Sequence, residues 1–400
     1  MVWKSKAASE LCEDWRPVLR ARHVGLRNVG CCAVMAGAEF DADREKILFL
    51  CRGRGSGHAI PDMEVVKELA LVRPQAQVRF VSYGTGARTL AEHGFPVIDI
   101  GLPELNSLLD VIVIATRLVG AFDPDLVMAH EEFGALPAAK VFDKPGVFLT
   151  DWFVAEDRII MGALRYADLI LFADWEGSFE EPSQAQGRTE YVGPVFREFE
   201  YSTVDRARAR EELELPQDAT VVSVLPGGYA TEAKAPIADI VLEAFESLPE
   251  ANKRLVWVAA DEDFETLTER TRDREDVRVM SREWRIDRLM AASDVAVTKA
   301  NRKTVLELEA LGVRSVALSA ELNPIDDARA RACEGVVFRL LGEMDAEQLA
   351  EDLDGLIARG HRAAGLPQGP RAARLIAERL GGVLQDLTPE AEGGEPLSSR

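Results

Sequence analysis

The stretch KILFLCRGRGSGHAIPDMEVVKELALV, residues 46–72, passes from an unbroken apolar run through a glycine turn into a segment of helical period. A strand without a polar face must be covered on both sides, which is the situation of a parallel sheet wrapped by helices. The unit repeats outward from there. Strands are expected at 47–51, 78–81, 97–100, 126–129, 146–149 and 169–172, with helices at 63–72, 105–120, 136–142 and 158–166. The rhythm breaks in a polar stretch, 174–216, that holds Gly177, Pro182, Gly187 and the turn Val192-Gly193-Pro194-Val195, as an inter-domain boundary does. A second series follows: strands at 221–225, 255–259, 277–280, 295–298 and 315–318, helices at 236–247, 264–272, 286–292, 304–311 and 326–333. The fold class is therefore α/β, two Rossmann-like doubly wound domains in tandem.

The expected division is a poorly ordered extension at 1–43, a first domain at 44–195, a second at 196–365, a helix at 366–387 returning across the cleft, and a disordered tail at 388–400. The last helical segments, 346–358 and 370–380, are both expected to pack back that way, and Met35 is a possible natural start. Four hundred residues and an apolar share of 47% suffice for two cores. A net charge of -21, from 68 acidic and 47 basic residues, excludes binding to nucleic acid through a general field and leaves at most peripheral membrane contact. The five cysteines, Cys12, Cys31, Cys32, Cys51 and Cys333, form no C-x-x-C pair, which argues against a zinc site or disulfide framework and for a cytoplasmic location.

In parallel α/β sheets ligands bind beyond the carboxyl ends of the strands, so the residues just after each strand are the candidates for chemistry. After the first strand comes Gly53-Arg54-Gly55-Ser56-Gly57-His58, where Gly55 and Gly57 allow close approach of a ligand. His58 stands where the last glycine of a dinucleotide fingerprint would be, which disfavours a nicotinamide cofactor. At a helix start His58 suits a neutral general base, or else simply caps its loop. His130-Glu131-Glu132 and Asp151-Trp152 end two further strands. Glu131 or Asp151 can orient a histidine base or bind acceptor hydroxyls, and each can equally be a helix cap. Trp152 stacks on an acceptor or packs in the core.

In the second series Pro226-Gly227-Gly228-Tyr229 offers backbone amides to a diphosphate, or is a plain turn. Lys299, Arg302 and Lys303, with Asn301 in the same turn, gather positive charge at a helix start, where phosphate binds best, or are simply a solvated basic face; Thr304 caps the helix or donates to a phosphate oxygen, and Glu307 one turn on can accept from ribose hydroxyls. Asp326 and Asp327 serve sugar hydroxyls or cap a helix.

The glycine loop with His58, the Pro226-Gly227-Gly228 turn, Met290-Ala291-Ala292-Ser293-Asp294, and Lys299 through Glu307 with Ala310-Leu311-Gly312 together resemble glycosyltransferase family 28, the group of the lipid I N-acetylglucosaminyltransferase and the galactolipid synthases. The resemblance spans about 46–380. It implies the GT-B architecture, an acceptor-binding first domain, a second domain for a UDP-sugar co-substrate, and no required metal or cofactor. It further implies that His58 is the base, that Gly227, Gly228 and Thr304 hold the diphosphate, and that Glu307 holds the ribose. By the same resemblance Arg285 and Ile286 face the uracil, and Asp326 or Asp327 reads sugar hydroxyls. Asn301, Arg302 and Lys303 depart from the glycines usual in that family. An inverting glycosyltransferase acting on a lipid, saccharide or small-molecule hydroxyl is the expected function. The alternatives are a nucleotide-sugar 2-epimerase, which needs no acceptor, and a non-catalytic nucleotide-sugar binder.

Overall fold

The computed structural model describes residues 44–103, 107–153, 158–177, 179–227, 231–281, 285–362 and 371–387. The expectations for 1–43 and 388–400 lie outside them. The chain divides into two compact units, residues 1–197 with 370–400, and residues 198–369.

The first unit is built on seven parallel strands, β1 Glu45–Cys51, β2 Ala76–Ser82, β3 Val97–Asp99, β4 Leu126–His130, β5 Gly146–Thr150, β6 Leu169–Phe172 and β7 Thr189–Tyr191, in the order β3-β2-β1-β4-β5-β6-β7. Its strands alternate between two cores. Leu48, Leu50, Val127, Ala129 and Phe148 face one layer of helices, and Ile47, Phe49, Cys51, Met128 and Leu149 face the other. That alternation is why the strands read as continuous apolar runs. The helix Ala372–Leu387 belongs to the second of these layers, where Ile376, Ala377 and Leu380 are buried with Met63, Val65 and Leu69 of the helix Ala59–Val72.

The second unit has six parallel strands, β8 Thr220–Val224, β9 Lys253–Val258, β10 Val277–Met280, β11 Val295–Lys299, β12 Ser315–Ser319 and β13 Val336–Leu340, in the order β10-β9-β8-β11-β12-β13. The helix Ala346–Arg359 is part of this unit. It buries Leu349, Leu353 and Leu356 in the core formed with Phe245 and Trp257, so it is not a returning segment.

Both sheets are doubly wound about their first strand, and the order reverses between β1 and β4 and between β8 and β11. At such a reversal the connections leave in opposite directions, and the loops at the carboxyl ends part to make a crevice. Two strands were not expected. β7 and β13 are sheet edges whose residues are only partly buried; β7, Thr189-Glu190-Tyr191, carries almost no apolar signal, while β13, Val336-Val337-Phe338-Arg339-Leu340, carries one that was not picked out. The helix Gly84–Glu92 was likewise unexpected, because Gly84 and Gly86 in its first turn read as a loop. Gly86 is needed there: a Cβ would meet the Gly53 Cα at 2.8 Å.

The second unit is held at its base by Arg210, 1% exposed. Its guanidinium donates to the carbonyls of Ala292, Gln217 and Ala219 and pairs with Asp294 at 2.7 Å. Asp294 also accepts the Val221 N–H at 2.7 Å and pairs with Arg206. Arg210→Ala should lower stability by about 3 kcal/mol or more, because Asp294 and the carbonyls lose a buried partner. The midpoint of urea unfolding measures this.

Candidate functional site

In the first unit the crevice lies between β1 and β4, with Cys51 paired to His130 in register. Gly53 leaves β1 against Tyr83, whose carbonyl oxygen a Cβ would meet at 2.1 Å. Gly55 has φ +66 and open space around it. The loop carries His58 to the start of the helix Ala59–Val72, where it makes no side-chain cap. His58 Nε2 instead lies 2.8 Å from Glu131 Oε2.

Glu131 follows β4 with φ 55, the left-handed region that non-glycine residues rarely occupy. Such strain, of order 1–3 kcal/mol, persists where the surroundings fix a conformation for a purpose. Arg52 Nη1 is 3.6 Å from the same carboxylate oxygen. Burial alone would raise the Glu131 pKa, but the charge and hydrogen bond of His58, then His130 and Arg52, hold it well below the usual carboxylate range.

Beside this pair stands a second one. His130 Nδ1 is 2.6 Å from Asp62 Oδ1, with both side chains sealed from solvent. The two imidazole rings meet edge to face with centroids 4.8 Å apart. Asp62 was not singled out in the sequence. Its place four residues after His58, in the first helical turn, was the available signal.

Glu132 is buried and accepts from Tyr83 Oη at 2.7 Å. Burial pushes its pKa up to about 7, against the Tyr83 hydrogen bond and the Arg52 charge. Adjacent carboxyls are thus driven apart, Glu131 to the ionised form and Glu132 towards the protonated one, as acid and base groups of active sites are. Asp151 is buried directly after β5. The Trp152 ring packs on Phe133, centroids 6.1 Å apart, and the Trp152 backbone N–H donates to Thr150 Oγ1 at 3.3 Å. Gly57 lies in the same loop as Gly55.

In the second unit the crevice lies between β8 and β11. Gly227 follows β8 with φ +73, and a Cβ there would meet Asn301 Nδ2 at 2.1 Å, so the two turns touch. Asn301 Oδ1 accepts from the Thr304 N–H at 3.4 Å and caps the helix Arg302–Leu311. Lys303 and Glu307 lie on that helix, Glu307 buried. Gly228 and Tyr229 lie outside the described residues. Lys299, 3% exposed, pairs with Glu232 at 3.0 Å. Burial lowers its pKa and Glu232 opposes that. Glu232 in turn accepts the Ile237 and Ala238 N–H groups at 2.9 Å. This buried pair was not anticipated, because it joins residues 67 positions apart.

Arg285, after β10, pairs with Glu200 and lies 3.5 Å from Asp287, and Ile286 opens the next helix buried. Asp326 accepts from Asn323 Nδ2 at 2.7 Å, and Asp327 accepts from Ser319 Oγ at 2.7 Å. Both sit in the first turn of the helix Pro324–Ala332. Of the expected residues, the structure therefore gathers His58, His130 and Glu131 at one switch point and Gly227, Asn301 and Thr304 at the other.

No family model matches the chain. Over 295 residues it is 26% identical to the UDP-N-acetylglucosamine--N-acetylmuramyl-(pentapeptide) pyrophosphoryl-undecaprenol N-acetylglucosamine transferase of Salinibacter ruber, covering 68% of this chain and 75% of the relative. Among solved structures, MurG of Acinetobacter baumannii superposes with a TM-score of 0.57 at 15% identity, over 86% of this chain and 99% of that one. A putative UDP-N-acetylglucosamine 2-epimerase of Listeria monocytogenes superposes with 0.61 at 15% identity, over 88% of this chain and 98% of that one. The architecture is GT-B, and the chain is a glycosyltransferase of that fold. Its curated relatives are N-acetylglucosamine transferases acting on a lipid-linked acceptor, so the resemblance drawn from the sequence to that group is borne out. Among the described residues no helix is long and apolar enough to cross a membrane.

The raised Glu132 pKa has a thermodynamic signature. The folded protein holds this proton up to about pH 7 while the unfolded chain releases it near 4.5. The stabilisation is therefore complete below pH 4.5 and lost as pH rises through 7. Between pH 5 and 8.5 this group should lower unfolding stability by roughly 2–3 kcal/mol. Urea titrations of Glu132→Gln should lack that component.

Proposed function

We propose that the protein transfers a sugar, N-acetylglucosamine by the names of its relatives, from a UDP-sugar to an acceptor hydroxyl with inversion. The observation that carries the chemical part is the 2.8 Å contact between His58 Nε2 and Glu131 Oε2 at the end of β1. In this reading the acceptor oxygen attacks the anomeric carbon, the bond from that carbon to the diphosphate breaks, and His58 takes the acceptor proton. The ionised Glu131 orients the imidazole and stabilises it once protonated, as a carboxylate does for a histidine base. Asp151, His130, Trp152, Gly55 and Gly57 are assigned to the acceptor side.

Gly227, Gly228, Tyr229, Asn301, Lys303 and Thr304 are assigned to the leaving diphosphate. Backbone amides at a helix start and nearby cations stabilise such a charge without reorganising. Glu307 is assigned to the ribose, Arg285 and Ile286 to the uracil, and Asp326 and Asp327 to the sugar. No resident metal or cofactor is part of the scheme. The relatives' names carry a pyrophosphoryl-undecaprenol acceptor, so a lipid-linked saccharide is the first acceptor to try, with contact at a membrane surface rather than insertion.

Titration calorimetry with UDP, dTDP, GDP and NAD, in chelator, tests the donor assignment. UDP should bind in the micromolar range, and Glu307→Ala should weaken it at least tenfold. Absence of binding by every nucleotide would remove the transferase reading. His58→Ala should leave UDP affinity unchanged and slow transfer by about 10²–10⁴. Turnover of UDP-N-acetylglucosamine to its 2-epimer without acceptor would favour epimerase chemistry instead.

A further inference from the structure

Ligand-type atoms of His58, His130 and Glu131 lie within 4.8 Å of one another. Two features give this cluster the form of a cation site. The first is His130, 1% exposed, whose Nδ1 faces Asp62 Oδ1 at 2.6 Å. A proton on Nδ1 leaves the lone pair on Nε2, which is buried and has no hydrogen-bond partner among the described residues. A carboxylate behind an imidazole is the arrangement that orients metal-binding histidines. The second is the single proton that joins His58 Nε2 to Glu131 Oε2. A cation that takes both as ligands displaces it.

Two imidazoles and one carboxylate favour a borderline divalent ion such as Zn²⁺ over Mg²⁺, and they leave one tetrahedral position for water. Arg52 opposes a cation, with Nη1 3.6 Å from Glu131, but its side chain is 26% exposed and can turn towards solvent.

We propose that His58, His130 and Glu131 form a site for a transition-metal dication of the Zn²⁺ type, with Asp62 holding His130, and that occupancy blocks acceptor-proton uptake. One cation enters, and the proton that His58 held on Nε2 moves to Nδ1, which leaves the imidazole no lone pair for the acceptor proton. The inhibitory role rests on His58 being the base; the binding does not.

The test is calorimetric titration of the full chain with ZnCl₂, with MgCl₂ as comparison, in a non-chelating buffer. One equivalent of Zn²⁺ should bind in the micromolar range and Mg²⁺ should not. His130→Ala and the near-isosteric Glu131→Gln should abolish binding, and Asp62→Asn should weaken it 10–100-fold. UDP titration of each variant checks folding and keeps the donor assignment separate. No zinc binding by the wild-type chain, or wild-type zinc affinity in His130→Ala and Glu131→Gln, would overturn the site. Unchanged affinity in Asp62→Asn would overturn the role of Asp62.

Discussion

Everything functional in this chain depends on one constraint of parallel sheets, the reversal of strand order beside the first strand. β1 and β4 in one unit, and β8 and β11 in the other, are neighbours whose following loops run apart. The glycine loop of His58 and the His130-Glu131 corner meet at the first reversal. Gly227 and Asn301 meet at the second. The groups lie just beyond strand ends, on the loops and helix starts that follow them, and the regular elements on either side hold them in place.

The electrostatics of the first crevice follow from how few solvent contacts it keeps. Three carboxylates and two histidines share a buried space, and their environments separate them. Glu131 stays ionised beside His58, while Glu132 is driven towards its proton by burial. In the second crevice the buried Lys299 is matched by Glu232, which also closes the start of the helix Ala238–Ser247.

Much of this was legible in the sequence because buried parallel strands leave unbroken apolar runs. Residues 47–51 and 295–298 announce β1 and β11, and the rule of strand ends then singles out His58, Glu131 and Lys299. Of the four edge strands β3 and β10 were legible, whereas β7 is three residues with Glu190 at its centre and leaves no apolar run, and β13, Val336-Val337-Phe338-Arg339-Leu340, was passed over although four of its five residues are apolar. Pairings between distant residues were hardest. Asp62 with His130 and Glu232 with Lys299 depend on helix placement against the sheet, which local period does not encode. Asp326 and Asp327 show the opposite difficulty, for a helix cap and a sugar ligand use the same residues at the same place.

The central claim is that the reversal between β8 and β11 receives the donor diphosphate while that between β1 and β4 handles the acceptor. A crystal structure of the full chain with UDP tests it most directly. The account predicts diphosphate density beside Gly227 and the start of the helix Arg302–Leu311, with the ribose on Glu307. Diphosphate density beside His58 and Glu131, or at neither reversal, would contradict it.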